Sequence, residues 1–420
     1  MLRAAVVAVG DELLNGETVD TNAAWLGRRL AALGLPVWYR HTVGDEDDDI
    51  RAAVGAAARD ADLVVVSGGL GPTGDDRTRE AVATLYGRAL EPDPRLLEEL
   101  QSRFRKLGYE TMPEANRSQT LVPRGARVLP NGLGTAPGLL LDEEDTLVVL
   151  LPGVPRELRN LFDEELAPLL SERFGHRLSP VAHRVLHTTG IAESRLSELV
   201  EAALPDDMGP VRVAFLPDLL GVDLRLTASG VPPTEAKAHL DRVEAALSSA
   251  VEPWRFESPS GDLAEALATA LRARGATLSV AESCTGGLVA ERMARIPGVS
   301  DVLLGGVVAY ANVVKEQVLS VPAAAIRRHG AVSEEVATAM ARGVAELCGS
   351  DLGIGVTGIA GPGGGTEEKP VGTVWTAVSY GGQVTARHRR FPGDRAQIQA
   401  RAAQDALRMA FVLARDGHPA

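Results

Sequence analysis

The sequence predicts a multidomain α/β protein, in which two α/β segments flank a small α+β segment. Strand-like apolar runs alternate with helical stretches in the first third of the chain and again after residue 262, a pattern typical of parallel sheets covered by helices. At 420 residues the chain is too long for one ordinary core. Residues 252–261, which hold two prolines, two serines and a glycine, indicate a boundary before the last domain.

The first predicted domain spans residues 1–170 and reads as strand, helix, helix, strand. These elements fall at residues 4–9, 21–33, 50–59 and 63–66. Both strands are nearly all apolar, which favours burial on both faces of a parallel sheet. Another apolar run, residues 147–151, ends at P-G-V-P, and residues 156–170 then predict a helix with prolines near its start.

The second predicted domain, residues 171–257, is an α+β module. Its elements are a strand-like run from residue 183, helices at 192–204 and 234–249, and strands at 211–215 and 222–227. The third, residues 258–420, starts with a helix over 262–274 and returns to α/β alternation.

Composition argues against several classes of protein. The net charge of −13 opposes attraction to phosphate backbones, so no nucleic-acid partner is expected. No apolar run approaches the ~20 residues that span a bilayer, and the N-terminus lacks signal-peptide features, so we expect a cytoplasmic protein without membrane contact. Cys284 and Cys348 are too few for a disulfide framework or a zinc site. The acidic run 45–49 is expected to begin a helix, although a metal site is the alternative.

The segment L-S-V-A-E-S-C-T-G-G, residues 278–287, predicts a strand-to-helix turn that exposes a nucleophile. Backbone N–H groups at the helix start would stabilise an oxyanion. The residues alone do not rank Ser283 above Cys284, since a thiolate is the better nucleophile near neutral pH. Alternatively, Ser283 and Thr285 only cap the helix and Cys284 is a small buried residue.

Two later segments add chemistry to this turn. V-V-A-Y-A-N-V-V-K, residues 307–315, predicts a strand that runs into a helix, and a lysine kept neutral there accepts a serine proton. Residues 355–365 place six glycines after a predicted strand, where backbone amides approach an anion closely. A surface loop is the alternative for this glycine-rich stretch.

Together, A-E-S-C-T-G-G (281–287), Y-A-N-V-V-K (310–315) and T-G-I-A-G-P-G-G-G-T-E-E-K-P-V-G-T-V-W (357–375) resemble the C-terminal domain of the CinA family, the PncC-type nicotinamide-nucleotide amidase. The resemblance runs from residue 266 to 413. It implies hydrolysis of nicotinamide mononucleotide to nicotinate mononucleotide and ammonia, by a serine nucleophile and a lysine base, without a cofactor.

By the same resemblance, Ser283 is the nucleophile, Lys315 is the base, Tyr310 positions the reacting groups, and Thr285 and Gly286 form the oxyanion hole. The substrate-binding positions it implies are Glu282, Asn312, Thr357, Gly358, Ala360, Gly361 and Arg395. Gln399 departs from the pattern, because relatives are expected to carry an arginine there, which leaves the second phosphate-binding residue open.

The N-terminal motifs follow the first two predicted strands. They are G-D-E-L-L-N-G-E-T-V-D-T-N, residues 10–22, and S-G-G-L-G-P-T-G-D-D-R-T, residues 67–78. Ligands of doubly wound sheets bind at the carboxyl ends of strands, where carboxylates suit a hard cation and glycine amides suit phosphate. Two tight turns with aspartate caps are the alternative.

With N-G-L-G-T-A-P-G (131–138) and L-P-G-V-P-R-E (151–157), these motifs resemble the CinA N-terminal domain, an α/β sandwich related to MoaB and MogA. The resemblance implies metal-dependent hydrolysis of ADP-ribose to AMP and ribose 5-phosphate, with a divalent ion held by Asp11, Asp75 and Asp76. The implied substrate-binding residues are Gly10, Glu12, Asn22, Gly68, Gly69, Gly71 and Thr73. The middle module resembles the family's KH-type linker, and it lacks a basic GXXG clamp for RNA.

The leading hypothesis is therefore a bifunctional hydrolase that recycles pyridine nucleotides. Its expected partners are nicotinamide mononucleotide, ADP-ribose and a second copy of the chain in a homodimer. The alternative is a molybdopterin-like binding protein or a competence-related interaction protein, whose N-terminal domain binds without catalysing. In a third hypothesis, the C-terminal loop binds a nucleotide and Ser283 takes no part.

Overall fold

The computed structural model describes residues 2–143, 145–178 and 180–417. The chain forms two compact units, one made of residues up to Ala182 together with Thr227–His239, the other of His183–Leu226 and the residues from Leu240 onward. In these described ranges, no helix has the length and apolar character needed to cross a bilayer.

The N-terminal domain is a mixed sheet covered by helices on both faces. Its strands are β1 (Ala4–Val9), β2 (Val37–Val43), β3 (Leu63–Ser67), β4 (Leu90–Pro92), β5 (Leu121–Pro123), β6 (Arg127–Leu129), β7 (Gly138–Asp142) and β8 (Leu147–Leu151). Its helices are α1 (Asp11–Leu14), α2 (Thr21–Leu33), α3 (Asp47–Asp60), α4 (Thr78–Leu85), α5 (Pro94–Lys106), α6 (Pro155–Leu161) and α7 (Ala167–Phe174).

The main sheet has the order β2-β1-β3-β8-β7-β6. Strands β2, β1, β3 and β8 run parallel, whereas β7 is antiparallel to both β8 and β6. Alternate residues of β1 enter different cores: Ala4 and Val6 pack with α2 and α6, and Ala5 and Val7 pack with α3 and α4. This two-sided burial explains why β1, β3 and β8 are apolar throughout.

Two predictions for this domain are wrong in detail. Strand β2 lies between the first two predicted helices, so the order is not strand, helix, helix, strand. It is an edge strand with exposed Trp38 and Tyr39, and it therefore carries no continuous apolar run. The helix expected over residues 156–170 is interrupted by a π-helical turn at Phe162–Leu166.

The middle module is the predicted α+β segment. It contains β9 (Ala182–Thr188), α8 (Glu193–Ala203), β10 (Val211–Pro217), β11 (Val222–Ala228), α9 (Pro233–Val251) and β12 (Arg255–Phe256). The sheet has the order β10-β11-β9-β12.

The C-terminal domain is a five-stranded sheet between two helical layers. Its strands are β13 (Leu278–Glu282), β14 (Leu303–Val308), β15 (Leu352–Gly358), β16 (Thr373–Tyr380) and β17 (Gln383–Arg390). Its helices are α10 (Leu263–Arg274), α11 (Leu288–Ala294), α12 (Asn312–Gln317), α13 (Ala323–His329), α14 (Glu334–Cys348) and α15 (Arg395–Asp416).

The order β14-β13-β15-β16-β17 puts the parallel strands β14, β13 and β15 side by side. Their carboxyl ends therefore meet at one edge, where the three C-terminal motifs begin. Gly355 and Gly358 belong to β15 rather than to the loop after it, which corrects the expectation that all six glycines follow the strand. A Cβ at Gly355 would lie 2.3 Å from the Ala337 carbonyl oxygen, so this glycine lets α14 pack closely on the sheet.

Candidate functional site

Ser283 stands at the end of β13, in a tight turn before α11. Its N–H donates to the Val356 carbonyl at 2.9 Å, and its own carbonyl accepts from the Gly286 N–H at 3.1 Å. Gly286 and Gly287 have φ angles of 66° and 105°, in the left-handed region where glycine is favoured. The turn holds the serine at this edge of the sheet, where the residue is 9% exposed.

Lys315 is buried in α12 and faces this serine. Its Nζ lies 3.2 Å from Ser283 Oγ, 2.7 Å from the Ala309 carbonyl and 3.2 Å from the Tyr310 carbonyl. The residue is 1% exposed, and desolvation lowers the pKa of the amine. In the neutral amine, two N–H groups satisfy the two carbonyls, which leaves the lone pair directed at the serine hydroxyl. The arrangement is that of a nucleophile and its base.

The surroundings of the two side chains distinguish Ser283 from Cys284, which the sequence alone did not. The Cys284 side chain lies in the main core of the domain and is 4% exposed. Desolvation raises the pKa of its thiol to about 12, so the thiolate is scarce at neutral pH. The geometry therefore favours Ser283 as the nucleophile.

Thr285 carries an unsatisfied hydroxyl beside the nucleophile. The residue is 4% exposed, and in the part of the chain that the structure describes its Oγ1 has no hydrogen-bond partner. A buried polar atom without a partner is costly, and a ligand oxygen would relieve that cost. Because the Gly286 N–H already serves the turn, we regard the Thr285 hydroxyl as the better-placed oxyanion donor.

Arg395 connects the second and third motifs. It begins α15, and its Nη2 donates to the Tyr310 hydroxyl at 2.5 Å while Nη1 donates to the Gly361 carbonyl at 2.6 Å. Tyr310 is 57% exposed, so this group lies at the mouth of the site. Asn312 is exposed at the start of α12 nearby, and Ala360 is buried in the glycine-rich segment.

Three predicted substrate contacts are turned toward the protein instead. The Glu282 carboxylate accepts from the N–H groups of Gly287, Val289 and Ala290 at 2.9–3.1 Å, and so caps α11. The Thr357 hydroxyl donates to the Ala331 carbonyl at 2.8 Å. A Cβ at Gly358 would lie 2.7 Å from the Thr373 carbonyl, so Gly358 allows close strand packing. These residues shape the site without facing it.

Gln399, which the sequence placed at an expected phosphate-binding position, makes a contact that the sequence did not reveal. Its Nε2 donates to the Cys284 carbonyl at 2.8 Å, and it stands one helical turn after Arg395 on α15. The available signal was the four-residue spacing between Arg395 and Gln399, because residues at that spacing share one face of a helix. Gln399 therefore holds the nucleophile turn against α15.

In the N-terminal domain, a cavity of 490 Å³ lies at the carboxyl ends of β1, β3 and β8. Among the residues that the sequence singled out, it is lined by Gly10, Glu12, Asn22, Gly68, Gly69, Gly71, Asp75 and Asp76, whereas Asp11 and Thr73 stand outside its lining. The Asn22 Nδ2 donates to the Gly153 carbonyl at 2.7 Å, and its buried Oδ1 has no partner among the described residues. The cavity thus offers an unused acceptor to a ligand.

Asp76 and Thr73 hold the glycine-rich loop in shape. Asp76 Oδ1 accepts from the Gly71 N–H at 2.7 Å, and Oδ2 accepts from the Thr73 N–H at 2.9 Å and hydroxyl at 2.5 Å. Gly68 has a φ of 105°, and a Cβ there would lie 2.3 Å from the Val9 carbonyl. The predicted metal ligand Asp76 is therefore occupied as a turn cap.

Asp45, which the sequence assigned to a helix start, is surrounded by carboxylates that differ from the predicted set of metal ligands. Its Oδ2 accepts from the Asp11 N–H at 3.1 Å. Burial raises the pKa of Asp45, and the carboxylates of Asp11, Glu12 and Asp75 raise it further. Within the described ranges, no three His, Cys, Asp or Glu residues are placed to hold an ion by themselves. The donors fit a hard cation only where ligand oxygens and water complete its shell, as is common for Mg²⁺.

Comparison with known proteins covers all three segments. Residues 260–413 match the family described as "CinA C-terminal domain", residues 183–256 match "Damage-inducible protein CinA KH domain", and residues 5–172 match "Probable molybdopterin binding domain".

Relatives match this chain along nearly its whole length. A CinA-like protein of Gemmatimonas aurantiaca is 46% identical over 410 residues, which cover 97% of this chain and 96% of that protein. A CinA-like protein of Salinibacter ruber is 44% identical, covering 94% and 95% of the two chains. A solved structure, CinA of unknown function from Thermoplasma acidophilum, is 36% identical over 41% of this chain and 96% of that chain, with a TM-score of 0.37.

Proposed function

This chain belongs to the CinA family, and on that premise we propose that its C-terminal domain hydrolyses the carboxamide of nicotinamide mononucleotide. The observation that carries the proposal is the buried Lys315 amine, held by two backbone carbonyls at 3.2 Å from Ser283 Oγ. A lysine with this environment is a base for a serine, and a serine with a base attacks an amide carbonyl.

The proposed reaction proceeds by acyl transfer. Ser283 Oγ attacks the carboxamide carbon while its proton passes to Lys315 Nζ, and the Thr285 hydroxyl donates to the oxyanion. Lys315 then returns the proton to the amide nitrogen, the C–N bond breaks, and ammonia leaves. Water attacks the resulting ester with Lys315 again as base, which releases the carboxylate and restores the serine.

The substrate phosphate is assigned to the mouth of this site. Among the described residues, Arg395 uses two of its five N–H donors on Tyr310 and Gly361, so the remaining donors are available to an anion. Tyr310 and Asn312, both exposed there, would orient the ribose and the ring.

The test is ammonia release from nicotinamide mononucleotide in the presence of EDTA. We expect Ser283→Ala to lose activity, whereas the matched neighbour Cys284→Ala keeps it, because the buried thiol takes no part. Activity in Ser283→Ala, or its loss in Cys284→Ala with the fold intact, would mean that a group other than Ser283 is the nucleophile. No release by the wild-type chain would remove the amidase proposal altogether.

For the N-terminal domain we propose metal-dependent hydrolysis of ADP-ribose to AMP and ribose 5-phosphate. The 490 Å³ cavity combines the backbone amides of Gly69 and Leu70, the unpaired Asn22 Oδ1 and the carboxylates around Asp45. The amides would bind phosphate oxygens, Asn22 Oδ1 would accept from a ribose hydroxyl, and Glu12 and Asp45 would hold the cation. A divalent ion bound there supplies neutralisation of the phosphate charge.

The competing proposal for this domain is binding without catalysis, and the match to a molybdopterin-binding family favours it. Incubation with ADP-ribose and Mg²⁺ separates the two. Formation of AMP that EDTA abolishes and that Asp45→Asn reduces supports the hydrolase. Binding of a pterin without AMP formation supports the competing proposal.

A further inference from the structure

A separate cavity of 460 Å³ lies between the middle module and the last strand and helix of the C-terminal domain, inside one compact unit. One wall is formed by the turn before α8 and the turn between β10 and β11. The other is formed by the end of β17 and by α15. Its charged lining residues are Arg389, Arg401, Arg408, Asp405, Asp218 and Glu193. Neither proposed active site includes this cavity.

Arg408 has unsatisfied donors in this cavity. It is half-buried on α15, and among the residues that the structure describes none accepts a hydrogen bond from its guanidinium. Desolvation lowers its pKa, and so do the neighbouring Arg387 and Arg389, against the opposing effect of the Asp405 carboxylate. A guanidinium has five N–H donors, and burial without an acceptor is costly. Arg408 therefore has donors that an anion can accept.

Asp405 does not supply enough negative charge. Its Oδ1 lies 3.7 Å from Arg387 Nη1 and 3.9 Å from Arg389 Nε, too far for good hydrogen bonds. Its Oδ2 is buried and, within the described part of the chain, unpartnered. The other acids are less available: Asp218 caps its turn by accepting from the N–H groups of Leu220 and Gly221, and Glu193 is exposed. The cluster thus presents surplus donors beside one unused acceptor.

The walls of the cavity are held in place before any ligand arrives. Gln404 Nε2 donates to Thr189 Oγ1 at 3.0 Å, and Arg292 Nη1 donates to Gln404 Oε1 at 2.8 Å. Gly190 has a φ of 79°, and a Cβ there would lie 2.4 Å from Arg408 Nε, so the absent side chain makes room for the guanidinium.

We propose that this cavity binds a sugar phosphate, free or as part of a nucleotide, with its phosphate held by Arg389, Arg401 and Arg408 and a hydroxyl donating to Asp405 Oδ2. Guanidinium groups match phosphate oxygens in geometry and charge. The hydroxyl of the ligand would donate to Asp405 Oδ2, an acceptor that a bare phosphate would leave unpaired. A bare phosphate would also be repelled by this carboxylate. The volume of 460 Å³ falls in the range of small-molecule sites.

The test uses the full-length chain with ribose 5-phosphate, AMP, inorganic phosphate and ribose as probes. Hydrogen–deuterium exchange of residues 189–193 reports on this cavity and on neither active site. We expect ribose 5-phosphate or AMP to slow exchange there, and ribose to have no effect at the same concentration. Protection by AMP alone would identify the ligand as a nucleotide, and protection by ribose 5-phosphate would identify the free sugar phosphate as sufficient.

Two variants and a control test the assigned contacts. Arg408→Gln should weaken binding at this segment about tenfold or more, since it removes charged hydrogen bonds to phosphate. Arg390→Gln changes an exposed arginine of β17, next to Arg389 but outside the lining, and this variant should bind the probes as the wild type does. Asp405→Leu should weaken ribose 5-phosphate relative to inorganic phosphate. The proposal is overturned if neither phosphorylated probe protects residues 189–193. It is also overturned if the Arg408→Gln variant, with its deamidase activity intact, shows the same protection by these probes as the wild type.

Discussion

Replacing Lys315 with methionine removes the amine of the proposed base and keeps a side chain of similar length in the buried site. Lys315 Nζ is within proton-transfer reach of Ser283 Oγ, at 3.2 Å. Loss of a general base lowers turnover by about 10²- to 10⁴-fold, and we expect Lys315→Met to fall in that range. KM should change little, because the amine is 1% exposed and the phosphate is assigned to Arg395.

The pH dependence gives a second readout of the same variant. Since burial lowers the pKa of Lys315, the neutral base accumulates above that lowered value, and wild-type kcat should rise with pH through a midpoint below the ordinary lysine value of about 10.4. This rise should disappear in Lys315→Met. The assay is ammonia release at saturating nicotinamide mononucleotide across a pH series, with thermal unfolding measured alongside.

Lys369 provides the matched control. Its Nζ also donates to two backbone carbonyls, those of His329 and Val332, at 2.7 and 2.8 Å, and it makes no contact with Ser283. Either substitution leaves two carbonyls without a donor, at about 1–3 kcal/mol for each buried group. If Lys315→Met and Lys369→Met lose the same activity, or if Lys315→Met keeps the wild-type pH profile, the assignment of Lys315 as base is wrong.

Three further predictions concern neighbouring groups. Thr285→Ala should lower kcat by about 10²-fold and Thr285→Ser should restore most of it, because the proposed oxyanion donor is the hydroxyl; equal activity of the two variants would contradict this role. Native Cys284 should resist iodoacetamide at pH 8 and react once the chain is unfolded, since its thiol pKa is raised to about 12, whereas rapid native labelling, read by mass spectrometry, would contradict its burial. Gly355→Ala should lower the free energy of unfolding by about 1–3 kcal/mol, because its Cβ would meet the Ala337 carbonyl at 2.3 Å; an unchanged denaturant midpoint would show that α14 moves away freely.

The strands that the sequence revealed are those buried on both faces. Strands β1, β3 and β8 are continuous apolar runs because helices cover both sides of them. Strand β2 has a single neighbour in the sheet and exposed side chains, so nothing in its local composition required a strand. The local pattern of apolar residues indicates burial, whereas an edge strand depends largely on its pairing with the neighbouring strand.

The candidate site likewise contains features that the sequence predicted and features that only the tertiary structure reveals. Ser283 and Lys315 were predicted from motifs, and the structure brings their side chains together across 32 positions of sequence. The direction of the Glu282 carboxylate was not predictable, because a glutamate before a turn serves a helix start as readily as a ligand. Gln399 reaches the nucleophile turn from 115 positions away, a contact that only tertiary packing creates.

The way Lys315 is anchored also bears on how the proposed amidase site can diversify. The two oxygens that hold its amine are main-chain atoms of Ala309 and Tyr310, in the few residues just ahead of its own helix. The orientation of the amine therefore does not depend on which side chains those two positions carry. Exchange of Tyr310, which is 57% exposed, would alter its contact with Arg395 at the mouth of the site, and the serine and its lysine would remain aligned. Laboratory evolution of altered substrate preference has its natural starting point at this position.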